Sequence, residues 1–335
     1  MTKPTAPGQA TTMKAIVRDV YGSADVLQLK DIPRPDPADD ELLVRVRAAS
    51  VGAWDWHDLR GDPYVMRLIG RSLRRPSKPV LGLDMAGQVV AVGAGITRFQ
   101  PGDSVYGECG ATFAEYTLAK EDDLAVAPAA LSFAEAAAVP VAGATALLGL
   151  RDEARLQPGE SILIVGAAGG VGSFAVQIAK SMGAEVTGVC SPESTELVRS
   201  LGADHTIDYT KEDFTARGEH YDVIFQIAGK ASAWACRRAL EPKGRLVLCS
   251  GDGGGRLFGP ITRIAAAMLI SPFVSQKIRV YVAKVGTENL EALSRLIDNG
   301  DVAPVIDATY PLSQAAEAVR RFGHGHDAGK IVLTT

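Results

Sequence analysis

Apolar positions change their rhythm partway along the chain. In the N-terminal third they come as short β-rich runs, at Met13–Arg18, Leu42–Ala49, Gly87–Gly93, Ser104–Gly107 and Ala114–Ala119. Turn signals separate them: Pro33-Arg-Pro-Asp-Pro37, Gly93-Ala-Gly95 and Pro101-Gly-Asp103. Short strands punctuated by glycine and proline predict a small barrel-like β domain. From Ser161 onward, strand-like and helix-like segments alternate. Ile162–Val165 reads as a buried strand, a glycine-rich turn follows, and Val171–Met182 places Val171, Ala175, Ile178 and Ala179 on one helical face. Further strands are expected at Glu185–Cys190, Thr206–Tyr209, Tyr221–Ile227 and Arg245–Ser250, with a helix at Glu193–Leu201 closed by Gly202. This alternation predicts a parallel, doubly wound sheet. Right-handed crossovers then bring the glycine turn and the strand ends to one edge, where such sheets bind ligands. Strands at Lys277–Lys284, Val305–Tyr310 and Lys330–Leu333 close the chain. Helices at Asn289–Asp298 and Ser313–Phe322 lie between them, the second with Ser313 as its N-cap.

The glycine turn, Gly166-Ala-Ala-Gly-Gly-Val-Gly172, is the first candidate for chemistry. Strand, small-residue turn and helix together put a dinucleotide pyrophosphate on a helix N-terminus. The usual G-x-G-x-x-G appears with alanine in first place, as Ala167, Gly169 and Gly172. Alone it is a weak signal, because a turn with no ligand has the same look; its place in the alternating pattern gives it weight. The expected cofactor contacts are Ala167, Ala168, Gly169, Gly170, Val171 and Gly172.

Composition narrows the field. The 335 residues suffice for about two domains of ~150 residues each. The chain is 47% hydrophobic and 22% charged, the profile of a soluble globular protein. A net charge of −4 argues against nucleic acid as the main partner. Four scattered cysteines with no C-x-x-C argue against structural zinc and for a reducing, cytoplasmic setting. No signal-peptide pattern is present, and residues 1–12, rich in Thr, Pro and Gly, predict a disordered tail. The apolar stretch Leu257–Phe273 is short for a membrane span and is interrupted by Pro260, Arg263 and Pro272. It reads as a helix partly covering an apolar site, or as an ordinary buried helix.

Taken in order, the motifs resemble the medium-chain dehydrogenase/reductase superfamily, in its zinc-independent, quinone-oxidoreductase-like branch. The matching residues are Ala49-Ser-Val-Gly-Ala-Trp-Asp-Trp-His57, Gly82-Leu-Asp-Met-Ala-Gly87, Phe99-Gln-Pro-Gly-Asp-Ser-Val105, Phe113-Ala-Glu-Tyr116, Gly166–Gly172, Leu201-Gly-Ala-Asp204 and Gly329-Lys-Ile-Val-Leu333. The resemblance implies an α/β fold: a GroES-like β-barrel catalytic domain over 13–136 and 287–335, plus a doubly wound parallel Rossmann sheet over 137–286. Nicotinamide and substrate would meet in the cleft between them. It also implies a homodimer, joined edge to edge through strand 278–284.

Zinc enzymes of the superfamily carry Cys-x-x-Asp-x-His and Gly-His-Glu motifs. Here these read Gly52-x-x-Asp55-x-His57 and Gly82-Leu83-Asp84. Gly52 and Leu83 cannot ligate metal, and a catalytic zinc needs about three protein ligands. No metal site is therefore expected. The zinc-free branch tends to reduce conjugated carbonyls or quinones, meeting the developing enolate charge with hydrogen-bond donors rather than metal. His57, matching the relay histidine, is the candidate proton donor; its alternative is to fix a loop among Trp54, Trp56 and Tyr64. Asp55 orients that loop or serves as a turn or cap residue. Gly52 stands where the branch commonly has asparagine, which removes a donor and acceptor and opens space: either the substrate is bulkier, or a water replaces the amide, or ordinary reductase activity is impaired; Trp54 and Tyr64 are further pocket residues.

Cofactor choice falls at the end of the second strand of the doubly wound sheet, where NAD enzymes place an acid. Cys190 stands there instead, which favours NADPH, with NADH as the alternative. Ser191, Ser194 and Tyr209 are expected near the 2′-phosphate, although Glu193 opposes it. Thr145, Ser250 and Gly251 are expected at the nicotinamide. The basic run Arg67, Arg71, Arg74, Arg75, Lys78 reads as a solvated loop, and Cys109 as a packed thiol. The function expected is NADPH-dependent reduction of a small apolar enone, enal or quinone by direct hydride transfer, with no nucleic acid or membrane partner. A carbonyl/alcohol oxidoreductase or biosynthetic tailoring enzyme, and a non-catalytic NADPH sensor, remain the alternatives.

Overall fold

Short strands, several of them buried along most of their length, build the N-terminal sheet. The computed structural model describes residues 12–64, 67, 75–229, 231–249, 275–325 and 327–335. The strands are β1 (Thr12–Val17), β2 (Gln28–Pro33), β3 (Leu42–Val51), β4 (Asp84–Val92), β5 (Ser104–Glu108), β6 (Tyr116–Ala119) and β7 (Leu124–Val126). The central strand β3 pairs antiparallel with both β4 and β6, and β4 with β5, around a core of Leu42, Val44, Met85, Phe113 and Leu124. β1 and β2 form a separate antiparallel pair.

The second sheet uses β8 (Ser161–Val165), β9 (Glu185–Cys190), β10 (His205–Asp208), β11 (Tyr221–Gln226), β12 (Leu240–Leu248) and β13 (Lys277–Val280). All its pairs are parallel, in the order β10-β9-β8-β11-β12-β13. The chain reverses direction across the sheet between β8 and β11, the switch point where such sheets take ligands. Ile162, Ile164, Phe174 and Phe225 pack one core, and Leu163, Ile224 and Leu246 another, so strands buried on both faces read as continuous apolar runs.

β14 (Ile306–Pro311) and β15 (Lys330–Thr334) then return to the first sheet, with Ile331 opposite Val51. Just before β15, Gly329 bridges Gly169 of the dinucleotide turn. The C-terminal segment thus touches both halves of the molecule.

Several expectations are corrected. Thr12 opens β1 rather than ending a disordered tail, whose remaining residues lie outside those described. β12 starts earlier than Arg245, because Glu241, Pro242 and Lys243 hide its beginning, and β13 stops at Val280. The expected 193–201 helix is a 3-10 turn, Pro192–Ser194, followed by a helix at Thr195–Ser200. Ser313 caps nothing: it lies in the 3-10 turn Leu312–Gln314 ahead of the helix Ala315–His324. The segment 257–273 falls outside the described residues.

Candidate active site

Close backbone packing builds the dinucleotide turn. Gly166 has φ +92°, a left-handed conformation glycine adopts freely. A Cβ at Gly172 would stand 2.0 Å from the Gly166 carbonyl oxygen, so only glycine lets the helix Gly170–Ser181 start there. At Gly169 the space is open, with only Gly166 O within 4 Å, at 3.7 Å. No side chain caps this helix. Open space before an uncapped helix N-terminus suits a phosphate, so Ala167–Gly172 fit the pyrophosphate of a dinucleotide.

The adenosine end gathers at the tips of β9 and β10. Tyr209 N–H donates to the Cys190 carbonyl at 3.3 Å, and the Tyr209 side chain is largely exposed. The Ser191 and Ser194 hydroxyls lie 3.3 Å apart. Cys190, Ser191, Ser194 and Tyr209 are therefore brought together, with no carboxylate at Cys190. Lys211, close in sequence, is paired with Asp208 at 3.2 Å. On the other side of the turn Thr145 is buried in the helix Pro140–Leu148, and its carbonyl accepts from the Tyr281 hydroxyl. Burial, followed by the neighbouring Cys249, pushes the Tyr281 hydroxyl far up, so it stays a donor. Ser250 and Gly251 lie outside the described residues.

The catalytic half centres on a buried carboxylate. Asp84, at the start of β4, accepts from Ser50 Oγ at 2.8 Å, Val141 N–H at 3.0 Å and Lys330 Nζ at 3.2 Å. It caps the helix carrying Thr145 and ties β3, β4 and β15 to it. Lys330 lays its stem across the dinucleotide turn: a Cβ at Gly170 would meet its Cδ at 2.8 Å. Its ammonium lies beside Gly52. A Cβ at Gly52 would have two heavy atoms within 4 Å beyond its chain neighbours, Asp55 Oδ2 and Lys330 Nζ, each at 3.7 Å.

Asp55 accepts the Gly52 N–H at 2.9 Å, making half of a capping box at the start of the helix Ala53–Arg60. Burial pushes its carboxyl up to about 7; the Gly52 N–H opposes this, Asp84 reinforces it and Lys330 opposes it. His57 lies two residues further, about 200° around the helix from Asp55. It is half-buried, and its ring makes no hydrogen bond among the described residues. Gly52 and Asp55 are thus together, while His57 faces elsewhere. Trp54 is exposed. Trp56 packs on Gly323, whose Cβ would stand 2.2 Å from the indole ring.

The basic run is not simply solvated. Arg67 donates to the Gly61 and Arg60 carbonyls, each at 2.6 Å, and lies over the rings of Tyr21 and Tyr64. Arg71 and Arg74 lie outside the described residues. Burial pushes the Cys109 thiol up to about 12, which suits a packed, unreactive group. Ser50, Asp84 and Lys330 were not anticipated as site residues. Asp84 and Lys330 stood inside the Gly82–Gly87 and Gly329–Leu333 motifs, but their pairing spans 246 positions and leaves no local signal.

The chain is similar to known proteins along almost its whole length. Residues 38–147 match the alcohol dehydrogenase GroES-like domain family, and residues 201–333 the zinc-binding dehydrogenase family. A chloroplastic quinone-oxidoreductase of Triphysaria versicolor, QR1, is 31% identical over 96% of this chain and 98% of its own length. A chloroplastic NADPH-dependent alkenal/one oxidoreductase of Arabidopsis thaliana is 34% identical over 96% of this chain and 79% of its own. The structure of the quinone oxidoreductase from Coxiella burnetii superposes with a TM-score of 0.86 at 28% identity, covering 97% of this chain and 99% of that one. With its paired sheets, glycine turn and returning C-terminal strand, the chain belongs to the medium-chain dehydrogenase/reductase superfamily, in the quinone-oxidoreductase-like branch.

Proposed function

We propose that the protein is an NADPH-dependent, zinc-independent oxidoreductase that reduces the activated C=C bond of an enone or enal, or a quinone, by direct hydride transfer. The observation that carries this is the Gly52 gap. Where a zinc ligand stands in metal enzymes of the superfamily, this chain has a glycine, at which a Cβ would fit in ordinary contact with Asp55 and Lys330. The relatives named for quinone and alkenal/one chemistry support the same substrate class. We assign the cofactor unit to 137–286 and the catalytic unit to 13–136 with 287–335.

When bound, reduced nicotinamide supplies a hydride; added at the β-carbon of an enone, it leaves an electron pair on the carbonyl oxygen. The residues of this chain do the rest. Ala167–Gly172 hold the pyrophosphate. Ser191, Ser194 and Tyr209 receive the 2′-phosphate, and the absent acid at Cys190 removes the group that would favour NADH. Thr145 borders the nicotinamide. His57, whose ring has no partner among the described residues and lies on another side of its helix from Asp55, supplies the proton that completes the product by way of water. None of the four cysteines is in a disulfide, and three of them are buried, as suits a reducing compartment such as the cytoplasm. Among the described residues, no helix is long and apolar enough to cross a membrane.

The test follows oxidation of NADPH against a panel of enones, enals, quinones and simple ketones, with and without a zinc chelator. Turnover of the conjugated acceptors, unchanged by the chelator, is expected. Turnover of simple ketones alone, or activity lost to the chelator, would overturn the reading. His57→Ala should lower kcat by about 10²-fold, the usual contribution of a general acid, while NADPH affinity holds. Full activity in that variant would remove His57 from the mechanism.

A further inference from the structure

Lys330 is a cation placed where a cation is costly. Its side chain is 7% exposed, yet its ammonium makes one hydrogen bond among the described residues, to Asp84 Oδ2 at 3.2 Å. An ammonium has three donors, so two remain without a protein acceptor there. A buried charge short of hydrogen bonds is expensive unless something else uses it. Neutralising the buried Asp84 carboxylate is a structural role for this cation, but it engages only one of the three donors.

The direction of the ammonium supplies a use. It points at the position a side chain at Gly52 would take, where a Cβ would fit 3.7 Å from both the ammonium and Asp55 Oδ2. Its stem crosses Gly170, at the N-terminus of the phosphate-binding helix. The gap and the dinucleotide turn are thus joined by one lysine side chain.

We propose that Lys330 is a catalytic residue whose ammonium binds the carbonyl oxygen of the enone or quinone in the space left open by Gly52. The inference rests on the reductase reading above and names the group that meets the negative charge there. The electron pair displaced by hydride addition moves onto that oxygen, and a fixed ammonium in a dry site stabilises it without metal. Asp84 holds the ammonium in place through its own three hydrogen bonds. Gly52 is then a specificity position. Any side chain there would occupy the space the oxygen needs, so the ligand is a planar conjugated carbonyl entering oxygen first.

4-Nitrophenol tests this without turnover. Its phenolate is a planar conjugated oxyanion, and its colour reports ionisation directly. With the enzyme saturated in NADP⁺, the bound phenol should ionise about one pH unit lower than in water, equivalent to a tenfold preference for the oxyanion. Gly52→Asn fills the gap with a side chain the extended backbone there accepts, and Lys330→Met removes the charge while keeping a stem across Gly170. Both should abolish the shift, and Gly52→Asn should keep NADP⁺ affinity. No shift in the wild type, or an undiminished shift in either variant, overturns the proposal. If Lys330→Met fails to fold because Asp84 loses its partner, Gly52→Asn alone decides. The two readings fail separately: absence of enone and quinone turnover sinks the reductase assignment, whereas a shift that survives Gly52→Asn in an active enzyme sinks only the role of Lys330.

Discussion

Burial pushes the Asp55 carboxyl up to about 7, and this has a consequence for stability. An aspartate in the unfolded chain titrates near ~4. Between that value and about 7 the unfolded chain ionises while the folded one holds its proton, so folded-state stability falls as pH rises through this window. Below it Asp55 does no harm, and above it the cost is constant. Asp55→Asn removes the titration and keeps an oxygen to accept the Gly52 N–H. Thermal unfolding should show the variant gaining on the wild type from pH 4 to pH 7 and holding the difference at pH 8. Glu108, also pushed up to about 7 by burial first and by Asp84 second, is present in both proteins and cancels in the comparison. A variant that instead loses ground as pH rises would show that Asp55 is held ionised. At this scale the sequence was legible where neighbours in the chain decide the chemistry. Gly52, Asp55 and His57 share one short motif, so their common placement on one helix start could be read directly. Asp84 and Lys330 meet only because β4 and β15 flank the same strand, β3, so no local pattern announced them.

The glycine turn shows how one element carries two separable demands. Gly172 serves packing, since its Cβ would clash with the Gly166 carbonyl at 2.0 Å. Gly169 serves the ligand, since its Cβ would touch nothing nearer than 3.7 Å and its φ of −72° suits any residue. Gly172→Ala should therefore lower the melting temperature and weaken NADPH binding together, at a cost of about 1–3 kcal/mol typical of overpacking. Gly169→Ala should leave the melting temperature alone and weaken binding selectively. Calorimetric titration with NADPH beside thermal unfolding separates the two; equal melting temperatures for both variants would contradict the packing argument. The same contrast explains which elements could be read in advance. The helix Gly170–Ser181 has a polar side and an apolar face, so its period stood out. The helix Pro140–Leu148 buries Pro140, Ala142, Gly143, Ala144, Thr145, Ala146 and Leu147, which leaves no polar face to mark it. β13 was expected to run to Lys284 because Tyr281 and Val282 continue the apolar rhythm, yet pairing with β12 stops at Val280.

For the whole molecule, the order of sheets and the return of the C-terminal strand were legible, because alternating β and α segments constrain topology strongly. What joins the halves was not. That connection runs through Asp84, Lys330 and the Gly169–Gly329 bridge, which depend on how the two sheets sit together. The parallel sheet also ends on an unpaired edge. β13 pairs with β12 on one side and with no strand on the other among the described residues. Lys277 and Arg279 are exposed along it while Ile278 and Val280 are half-buried. Just beyond it Val282 is 94% exposed, an apolar side chain left in water beside a row of unpaired backbone groups. An open edge of this kind invites pairing with a second copy through the same strand, around a two-fold axis. We therefore expect a homodimer through the 278–284 segment, with Val282 at or near the interface. Val282→Glu touches no core residue, so the monomer should keep its melting behaviour to within about 0.5 kcal/mol, as surface substitutions usually do. In the dimer it would bring two carboxylates close together and weaken the interface. Light scattering on the eluting protein should give twice the monomer mass for the wild type and a concentration-dependent shift toward monomer for Val282→Glu. A wild type that elutes at the monomer mass would leave β13 as an edge protected only by Lys277 and Arg279.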